Sequence, residues 1–267
     1  MRAEKVMLDA IMHVWKDQSG AVFSDEYVIR FQTDGYCQVL CNKSLVGVED
    51  EIVSREIAHH RSIGRDFEWA VFSVDEPSNF VSILEARGFE VGTKEVTCMF
   101  PLADYSSFSS SAIRVDRVTD ATGLADFKSV AEAVFGKDYS YTTRKLAQCL
   151  EEGLTNETGF VAYCGDIPVS IGRLSKPDEA CIAGLYTGGT LAEHRGKGYY
   201  RAVVNARAIY ARELGMEYLS VDAKPTSLPI LQQLGFVPVV ESWPCEFTVG
   251  TSESESFEDA SSTLKAI

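Results

Sequence analysis

The spacing of apolar residues predicts two similar sets of secondary-structure elements, one in each half of the chain. Residues Phe67–Phe72 and 218–221 alternate between apolar and polar positions, as strands with one buried face do. After each of them, a turn containing proline leads to a short helix that ends at a glycine, and a final strand follows at 90–100 and at 237–249. We therefore predict the same order of strand, helix and strand in both halves.

The sequence also matches itself at these positions. The tripeptide Ser-Val-Asp at 73–75 recurs at 220–222, and the segment 83–89 recurs at 230–236 with the same offset. Both copies of the second segment end in Gly-Phe. Because the order, the spacing and the predicted structure agree, we interpret the two halves as copies of one ancestral domain.

Further elements are predicted upstream of the second copy. Two strands, 159–164 and 167–174, flank a tight turn. A third strand at 180–190 leads into the tetrapeptide Arg-Gly-Lys-Gly at 195–198, and a helix follows over 199–214. This glycine-bearing loop between a strand and a helix is the feature best suited to hold a ligand.

The corresponding place in the first half contains only a helical stretch, 48–63, with no such loop before it. The serine-rich segment 103–111 is typical of a linker. We therefore predict a degenerate N-terminal domain over 1–105, a ligand-binding domain over 112–249 and an acidic, serine-rich tail over 250–267.

The composition is that of an ordinary globular protein, with 45% hydrophobic and 24% charged residues among 267. A net charge of -14 argues against a nucleic-acid partner and favours a cationic substrate. No run approaches the roughly 18 apolar residues that a membrane helix needs, and the first residues do not resemble a secretory signal. These features predict a cytoplasmic protein with no membrane partner.

The cysteines and histidines do not have the spacing of a metal site. The seven cysteines are scattered along the chain, and the adjacent pair His59 and His60 would diverge by ~100° on a helix. We expect most of the cysteines to be buried thiols and no metal to be bound.

The loop at 195–198 has the residues that a diphosphate site needs. The first turn of a helix has four unpaired N–H groups and a partial positive charge. Gly196 and Gly198 allow the backbone to approach an anion, while Arg195 and Lys197 add positive charge. Alone, this pattern is common on solvated surfaces, so its specificity depends on the neighbouring segments.

Two of these segments resemble the GNAT superfamily of acetyl-coenzyme A dependent N-acetyltransferases. Residues 190–202 are similar to the family's pyrophosphate-binding segment, in which Arg or Gln, two residues, Gly, one residue and Gly or Ala follow one another. Residues 223–236 are similar to a later segment that ends in Leu-Gly-Phe. The resemblance covers roughly 112–249, and the internal repeat extends it to the N-terminal half.

The resemblance implies an α/β (α+β) fold made of two GNAT-like copies in tandem, with a mixed, mainly antiparallel sheet flanked by helices. Strand four (180–190) and strand five (218–221) would splay apart and leave a slot for the pantetheine arm of acetyl-coenzyme A. The coenzyme-binding residues that the resemblance implies are Thr190, Leu191, Arg195, Gly196, Lys197, Gly198, Tyr199, Tyr200, Arg201 and Ser227.

The sequence departs from the family pattern at two positions. Tyr200 stands where the pyrophosphate segment ends in Gly or Ala, so its ring either crowds the phosphates or turns outward. Leu231 stands where the family often has a tyrosine that protonates the departing thiolate. That proton donor is therefore absent from its usual position.

The implied reaction is direct attack of an unprotonated amine on the thioester, which needs a proton route and a stabilised oxyanion. Backbone amides near Thr190 are candidates for the oxyanion. We expect Tyr186 and Asp222 to face the slot and to form the proton route. The alternatives are a packed ring for Tyr186 and a turn cap for Asp222.

The main hypothesis is acetyl transfer to a primary amine of a small molecule or a protein. The alternative, favoured by Tyr200 and Leu231, is a non-catalytic sensor or interaction module that binds acyl-coenzyme A. The sequence leaves the acceptor, the acyl chain and the oligomeric state open, because variable loops build such pockets.

Overall fold

The computed structural model describes residues 2–15, 21–33, 36–108, 112–176 and 181–250. The N-terminal half consists of α1 (Arg2–Trp15), β1 (Phe23–Ser24), β2 (Val28–Thr33), β3 (Tyr36–Cys41), α2 (Glu49–Ile63), β4 (Phe67–Phe72), α3 (Phe80–Ala86), β5 (Glu90–Val91) and β6 (Glu95–Pro101). The C-terminal half consists of β7 (Val115–Arg117), α4 (Ala121–Phe135), α5 (Ser140–Glu152), β8 (Glu157–Cys164), β9 (Ile167–Ser175), β10 (Ile182–Thr190), α6 (Tyr199–Glu213), β11 (Tyr218–Ala223), α7 (Leu228–Gln233) and β12 (Val237–Phe247).

Local sequence explains where the main elements begin and end. The Asp120 carboxylate accepts a hydrogen bond from the Gly123 N–H and caps α4, and Gly136 ends the helix in the left-handed conformation. Gly165 has a φ of 61° in the turn between β8 and β9. Helix α6 buries Ala202, Val203 and further small residues at helical spacing, so one face packs on the sheet.

The described strands form one continuous sheet of twelve strands. Its order is β1-β2-β3-β4-β12-β6-β11-β10-β9-β8-β7, with β5 paired to β12. The neighbours are antiparallel except for two parallel pairs, β3 with β4 and β10 with β11. The predicted mixed, mainly antiparallel sheet is therefore confirmed.

The two halves exchange their last strands. Strand β6 of the N-terminal half lies beside β11, with Thr97 opposite Asp222, whereas β12 of the C-terminal half lies beside β4, with Ser242 opposite Phe72. The two exchanged strands also pair with each other at the centre of the sheet. Each half therefore completes its sheet with a strand from the other.

Helices cover both faces of the sheet. The cores under α2 and α3 and under α6 and α7 lie on one face, where they contain buried side chains such as Trp69, Phe80 and Leu231. Helices α4 and α5 cover one end of the other face, and α1 packs over its centre through Met7 and Ile11. Between α1 and α4 the second face of the sheet is left uncovered.

One of the two repeated segments has the same structure in both halves, and the other does not. The segments 83–89 and 230–236 both place a helix before a glycine with a φ of 90° and a buried phenylalanine. In contrast, 220–222 lies within β11, whereas 73–75 lies in the turn after β4. The Ser-Val-Asp match therefore joins positions that are not equivalent in the fold.

Two other sequence predictions need correction. The strand predicted over 90–100 is broken at 92–94, where the Gly92 N–H donates to the Pro244 carbonyl at 2.8 Å outside the regular ladder. The segment predicted as a linker is docked in its described part: Tyr105 Oη and the Phe108 N–H both donate to Asn205 Oδ1 of α6 at 2.8 Å. Residues 109–111 and the tail after 250 lie outside the described residues. The domain boundaries at 105 and 112 stay a prediction.

Among the described helices, none combines the length and the apolar character needed to cross a membrane. Five of the seven cysteines are buried, as expected. In the described part of the chain, no group of histidine, cysteine and acidic residues has the arrangement of a metal site.

Candidate functional site

A cavity of about 1890 Å³ lies on the uncovered part of the sheet. Its walls come from α1, from the end of α4, from the loop before α6 and from strands of both halves. Most of the residues singled out from the sequence line it: Tyr186, Thr190, Arg195, Gly196, Gly198, Tyr199, Tyr200, Arg201, Asp222 and Ser227. Leu191 and Lys197 are not among the lining residues, and their predicted role in binding stays a prediction.

The floor of the cavity is an opening between two parallel strands. Strands β10 and β11 pair only from Ile182–Tyr218 to Gly184–Ser220, although both strands continue beyond that point. The predicted splaying of strands four and five is therefore confirmed. Tyr186 and Asp222 each lie two residues past the last pair, so they flank the opening on the cavity face.

A β-bulge in β10 begins at the opening. Tyr186 is opposite Arg173 of β9 and Gly189 is opposite Ile171, so Thr187 and Gly188 have no separate partners in the ladder. Thr187 has a φ of 49°, which is uncommon for a β-branched residue. The bulge leaves backbone N–H groups next to the opening, and these groups could donate hydrogen bonds to a ligand carbonyl.

Tyr186 and Asp222 lie in a partly desolvated environment. The Tyr186 ring lies over Gly184, where a Cβ atom would come within 2.4 Å of it, so only glycine leaves it room. Burial raises the pKa of the Tyr186 phenol, and the charge of Asp222 raises it further. Burial also raises the pKa of Asp222, although its Oδ1 accepts a hydrogen bond from Thr97 Oγ1 at 2.6 Å. Their predicted role in a proton route stays a prediction.

The loop before α6 has the conformation that its glycines predict. Gly196 has a φ of 73° and Gly198, the N-cap residue of α6, has a φ of 90°. No acidic residue lies in the first turn of α6. Arg195 Nε donates to the Thr190 carbonyl at 3.2 Å and ties the loop to the end of β10. The N–H groups of the first turn of α6 are thus available to an anion in the cavity.

The two departures from the family pattern have different outcomes. The Tyr200 ring turns inward under the bulge, where its Cε2 atom lies 3.1 Å from the position of a Cβ atom on Gly188. The ring therefore does not turn outward, and because Tyr200 also lines the cavity, crowding of the phosphates stays a prediction. Leu231 is fully buried in the core under α6 and α7, so it contributes nothing to the cavity.

The remaining residues singled out from the sequence are held by local contacts. The Thr190 hydroxyl hydrogen-bonds to Ser170 Oγ at 2.7 Å, and Arg201 Nη2 donates to Gln233 Oε1 at 2.5 Å. The Tyr199 ring packs edge-on against His194, and Ser227 Oγ donates to the Lys224 carbonyl at 3.2 Å. Leu191 packs into the core under α4.

Sequence reasoning missed the wall that the N-terminal half contributes. This wall is polar and acidic, and it includes Tyr36, Gln38, Glu68 and Glu95, with Glu246 of the exchanged strand β12 opposite Glu68. Burial, with Asp222 nearby, raises the pKa of Glu95. Strand alternation could have placed these side chains on one face, but only the strand order brings that face to the cavity.

The N-terminal half lacks a comparable site at its own parallel pair. The first turn of α2 contains Glu49, Asp50 and Glu51, and Glu49 Oε2 accepts the Gly47 N–H at 2.6 Å. These carboxylates occupy the place of an anion and would repel one. The buried Leu45 N–H also donates to the Glu76 carbonyl at 2.8 Å, which joins the loops after β3 and β4.

Solved structures with a similar fold cover most of the chain. A GCN5-related N-acetyltransferase from Kribbella flavida matches 92% of this chain and 95% of its own, with a TM-score of 0.67 and 12% identity. A protein of unknown function from Staphylococcus epidermidis matches 88% of this chain and 97% of its own, with a TM-score of 0.65 and 13% identity. A tandem GNAT protein from the clavulanic acid biosynthesis pathway matches 85% of this chain and 79% of its own, with a TM-score of 0.56 and 12% identity.

No protein-family model matches the sequence, and no curated protein matches it either. At such low sequence identities the structural similarity shows the fold alone. The chain has a GNAT-like fold with a tandem arrangement, as its motifs predict. What the site does must be argued from its own residues.

Proposed function

We propose that this protein is an N-acetyltransferase that transfers an acetyl group from acetyl-coenzyme A to a primary amine. The observation that carries the proposal is the position of the Gly196 and Gly198 loop, which begins α6 next to the opening between β10 and β11. A diphosphate at this helix start and a thioester at the opening would lie along one continuous cavity.

The loop residues fit a coenzyme diphosphate. Both glycines have φ angles that other residues rarely adopt, and a Cβ atom on Gly196 would meet nothing within 4 Å. The backbone there is open to solvent and its N–H groups can approach an anion closely. Arg195 and Lys197 supply positive charge at the same place. The N-terminal half has no such loop, so we propose one coenzyme site per chain.

The residues at the opening suit acetyl transfer. Acetyl-coenzyme A supplies the acyl group as an activated thioester. A carboxylate with a raised pKa is a stronger base, so Asp222 would accept the proton of the attacking amine. Tyr186 lines the cavity and, as a phenol, carries its proton at neutral pH, so it would donate that proton toward the leaving sulfur. Backbone N–H groups of the bulge would stabilise the oxyanion.

The acceptor is proposed to be a cationic amine of a small molecule or a peptide. Glu68, Glu95 and Glu246 line the cavity on the side of the N-terminal half, opposite the coenzyme loop. Their negative charge would attract an ammonium group, which loses its proton close to Asp222. An odd number of scattered cysteines does not indicate a disulfide framework and fits a reducing compartment, so we propose that this activity is cytoplasmic.

A second function, binding of acyl-coenzyme A without turnover, is favoured by one observation. Leu231 is buried in the core where the family often has its proton donor. If Tyr186 cannot replace that donor, the protein would hold the coenzyme as a sensor. The two functions differ in whether an amine triggers release of the thiol.

The test uses the purified full chain, acetyl-coenzyme A and a panel of polyamines, amino acids and basic peptides. We expect calorimetry to give one binding site per chain and thiol release to need both an amine and the protein. Binding without release would support the sensor function. Two equivalent sites would contradict the assignment of the site to the C-terminal half, and no binding would refute both functions.

A further inference from the structure

Arg207 is a buried cation at the back of the candidate site. It lies on α6, is only 1% exposed and is among the largest fully buried side chains of the described chain. Burial lowers the pKa of its guanidinium to about 10, so it remains charged at neutral pH. Burying a charge is costly unless other groups compensate it.

The partners of Arg207 are carbonyl oxygens and a phenol. Its Nη1 donates to the Arg173 carbonyl at 3.1 Å and to the Tyr186 carbonyl at 3.3 Å, and its Nε donates to the Val203 carbonyl at 3.3 Å. The Tyr200 hydroxyl lies beside the same guanidinium. Within the described residues no carboxylate is among its partners.

A second buried arginine, Arg30, has its charge compensated by a carboxylate. Arg30 of β2 is 8% exposed, and its guanidinium donates twice to the fully buried Glu56 of α2, with Nη2 to Oε1 at 2.9 Å. Opposite charges cancel most of the cost of burial there. Arg207 has no such counter-charge, so stabilisation of the fold does not explain its charge.

The geometry places the guanidinium directly under the β10 bulge. Arg173 and Tyr186, whose carbonyls it holds, face each other at the last regular register before the bulge. A Cβ atom on Gly172 would lie 2.7 Å from the Arg207 Cζ, and one on Gly188 would lie 3.6 Å from Nη2. Two glycines in adjacent strands therefore make room for this one side chain.

We propose that Arg207 is a positioning residue that fixes the bulge of β10, so that Thr187 and Gly188 stay unpaired and Tyr186 faces the opening. It acts through the backbone carbonyls of Arg173 and Tyr186. The predicted effect of Arg207 on catalysis rests on the proposed acetyl transfer. Its predicted effect on the bulge does not depend on that function. This separation allows two independent measurements.

The first measurement is hydrogen exchange in the full chain without ligand. Arg207→Met removes the donors but keeps a long apolar side chain, so we expect faster exchange in a peptide covering 185–191 and unchanged exchange in β8. Arg212→Met, an exposed position on the same helix, is the matched control and should match the wild type. Unchanged exchange over 185–191 in Arg207→Met would overturn the inference.

Stability separates positioning from an ordinary structural role. Because a buried charge without a counter-charge disfavours folding, we expect Arg207→Met to melt at the wild-type temperature or above it. A variant that melts far below the wild type, with no selective change at 185–191, would show that Arg207 is a structural residue. If Arg207→Met does not fold, Arg207→Lys serves instead, since it keeps the charge but lacks the planar fork that bridges two carbonyls.

The second measurement is kinetic. We expect Arg207→Met to lower kcat by at least about tenfold while the Kd for acetyl-coenzyme A changes less than about threefold, because the diphosphate loop is untouched. Wild-type kcat together with altered exchange would refute the catalytic consequence. If the wild-type chain does not bind acetyl-coenzyme A, the proposed function fails, whereas the exchange experiment still decides the role of Arg207.

Discussion

Helices α2 and α6, which connect the two strands of each parallel pair, carry different charges in their first turns. Helix α6 begins at Gly198 with a φ of 90° and has no acidic residue in its first turn. Helix α2 begins after Val48 with a φ of -129°, and Glu49, Asp50 and Glu51 follow at once. The proposed anion site therefore lies at the helix start without acidic residues, whereas the acidic first turn of α2 would repel an anion. The difference teaches that the binding chemistry depends on a few residues at a helix start.

The strand pairs themselves differ in the same way. Each pair has three registered positions, and the last ones are Gly184–Ser220 and Leu40–Ala70. Two residues further along, the C-terminal half has Tyr186 and Asp222, whereas the N-terminal half has Asn42 and Phe72. Phe72 packs into an apolar cluster with Leu40 and Ala70. The tyrosine and the carboxyl group at the opening thus occur in one copy only of the described parallel pairs, although both copies are needed to build the sheet.

The largest expected effect tests whether each half needs the other half to fold. A fragment of residues 112–267 lacks β6, which separates β11 from β12, so both strands would lose a partner. We expect this fragment to be insoluble or to melt without a cooperative transition. Co-expression with residues 1–108 is the control, because it should restore a soluble complex. A monomeric fragment that melts like the full chain would contradict the dependence of one half on the other.

The second effect tests the difference between the two helix starts. Gly198→Val forces a side chain into a left-handed conformation at the proposed diphosphate site, so the Kd for acetyl-coenzyme A should rise by at least about tenfold, which is about 1.4 kcal/mol. The matched control is Gly47→Val, because Gly47 precedes α2, has a φ of 85° and would place its Cβ atom with nothing within 4 Å. Calorimetry should show wild-type affinity for the control. Equal losses in both variants would show that strain alone weakens binding.

The smallest effect concerns the half-buried carboxyl group of Asp222 at the opening between β10 and β11. The pKa of Asp222 is raised above its ordinary value of 3.8, so ionisation of this group opposes folding. This loss of stability is absent below the ordinary pKa and grows as the pH rises toward and past the folded pKa. Asp222→Asn should therefore raise the melting temperature at neutral pH, by ~2–4 °C for each kcal/mol recovered.

Thermal melts across a pH series would check this sign. The gain of Asp222→Asn should shrink as the pH falls toward 3.8, because the wild-type carboxyl group is then protonated in both states. Thr97→Val, which removes the hydroxyl donor to Asp222, should lower stability at neutral pH instead. A gain that does not depend on pH would show that the charge of Asp222 is not responsible.

Features of the structure that depend on neighbouring residues could be predicted from the sequence. Alternation of apolar residues located β4 at Phe67–Phe72, and the glycine at 198 marked the start of α6. Both kinds of signal act over a few neighbouring residues, which is why they can be recognised without the fold. The GNAT-like fold then followed from two motifs at a suitable separation.

The non-local parts could not be read in this way. The exchange of β6 and β12 depends on which strand edges meet after folding, and strands of similar composition do not encode their order. The inward turn of Tyr200 depends on the space left by Gly188, and the burial of Arg207 depends on Gly172. These are contacts between elements, and no periodicity within a single segment reports them.

The exchanged strands also determine when this chain can fold during synthesis. Ser73 and Glu241, which hydrogen-bond at the edge of β4 and β12, are 168 residues apart. The ribosome releases the N-terminal half long before β12 leaves the exit tunnel, so the nascent first half waits with the edge of β4 uncovered. The two halves of the sheet therefore cannot be completed one after the other, because each needs a strand from the other half.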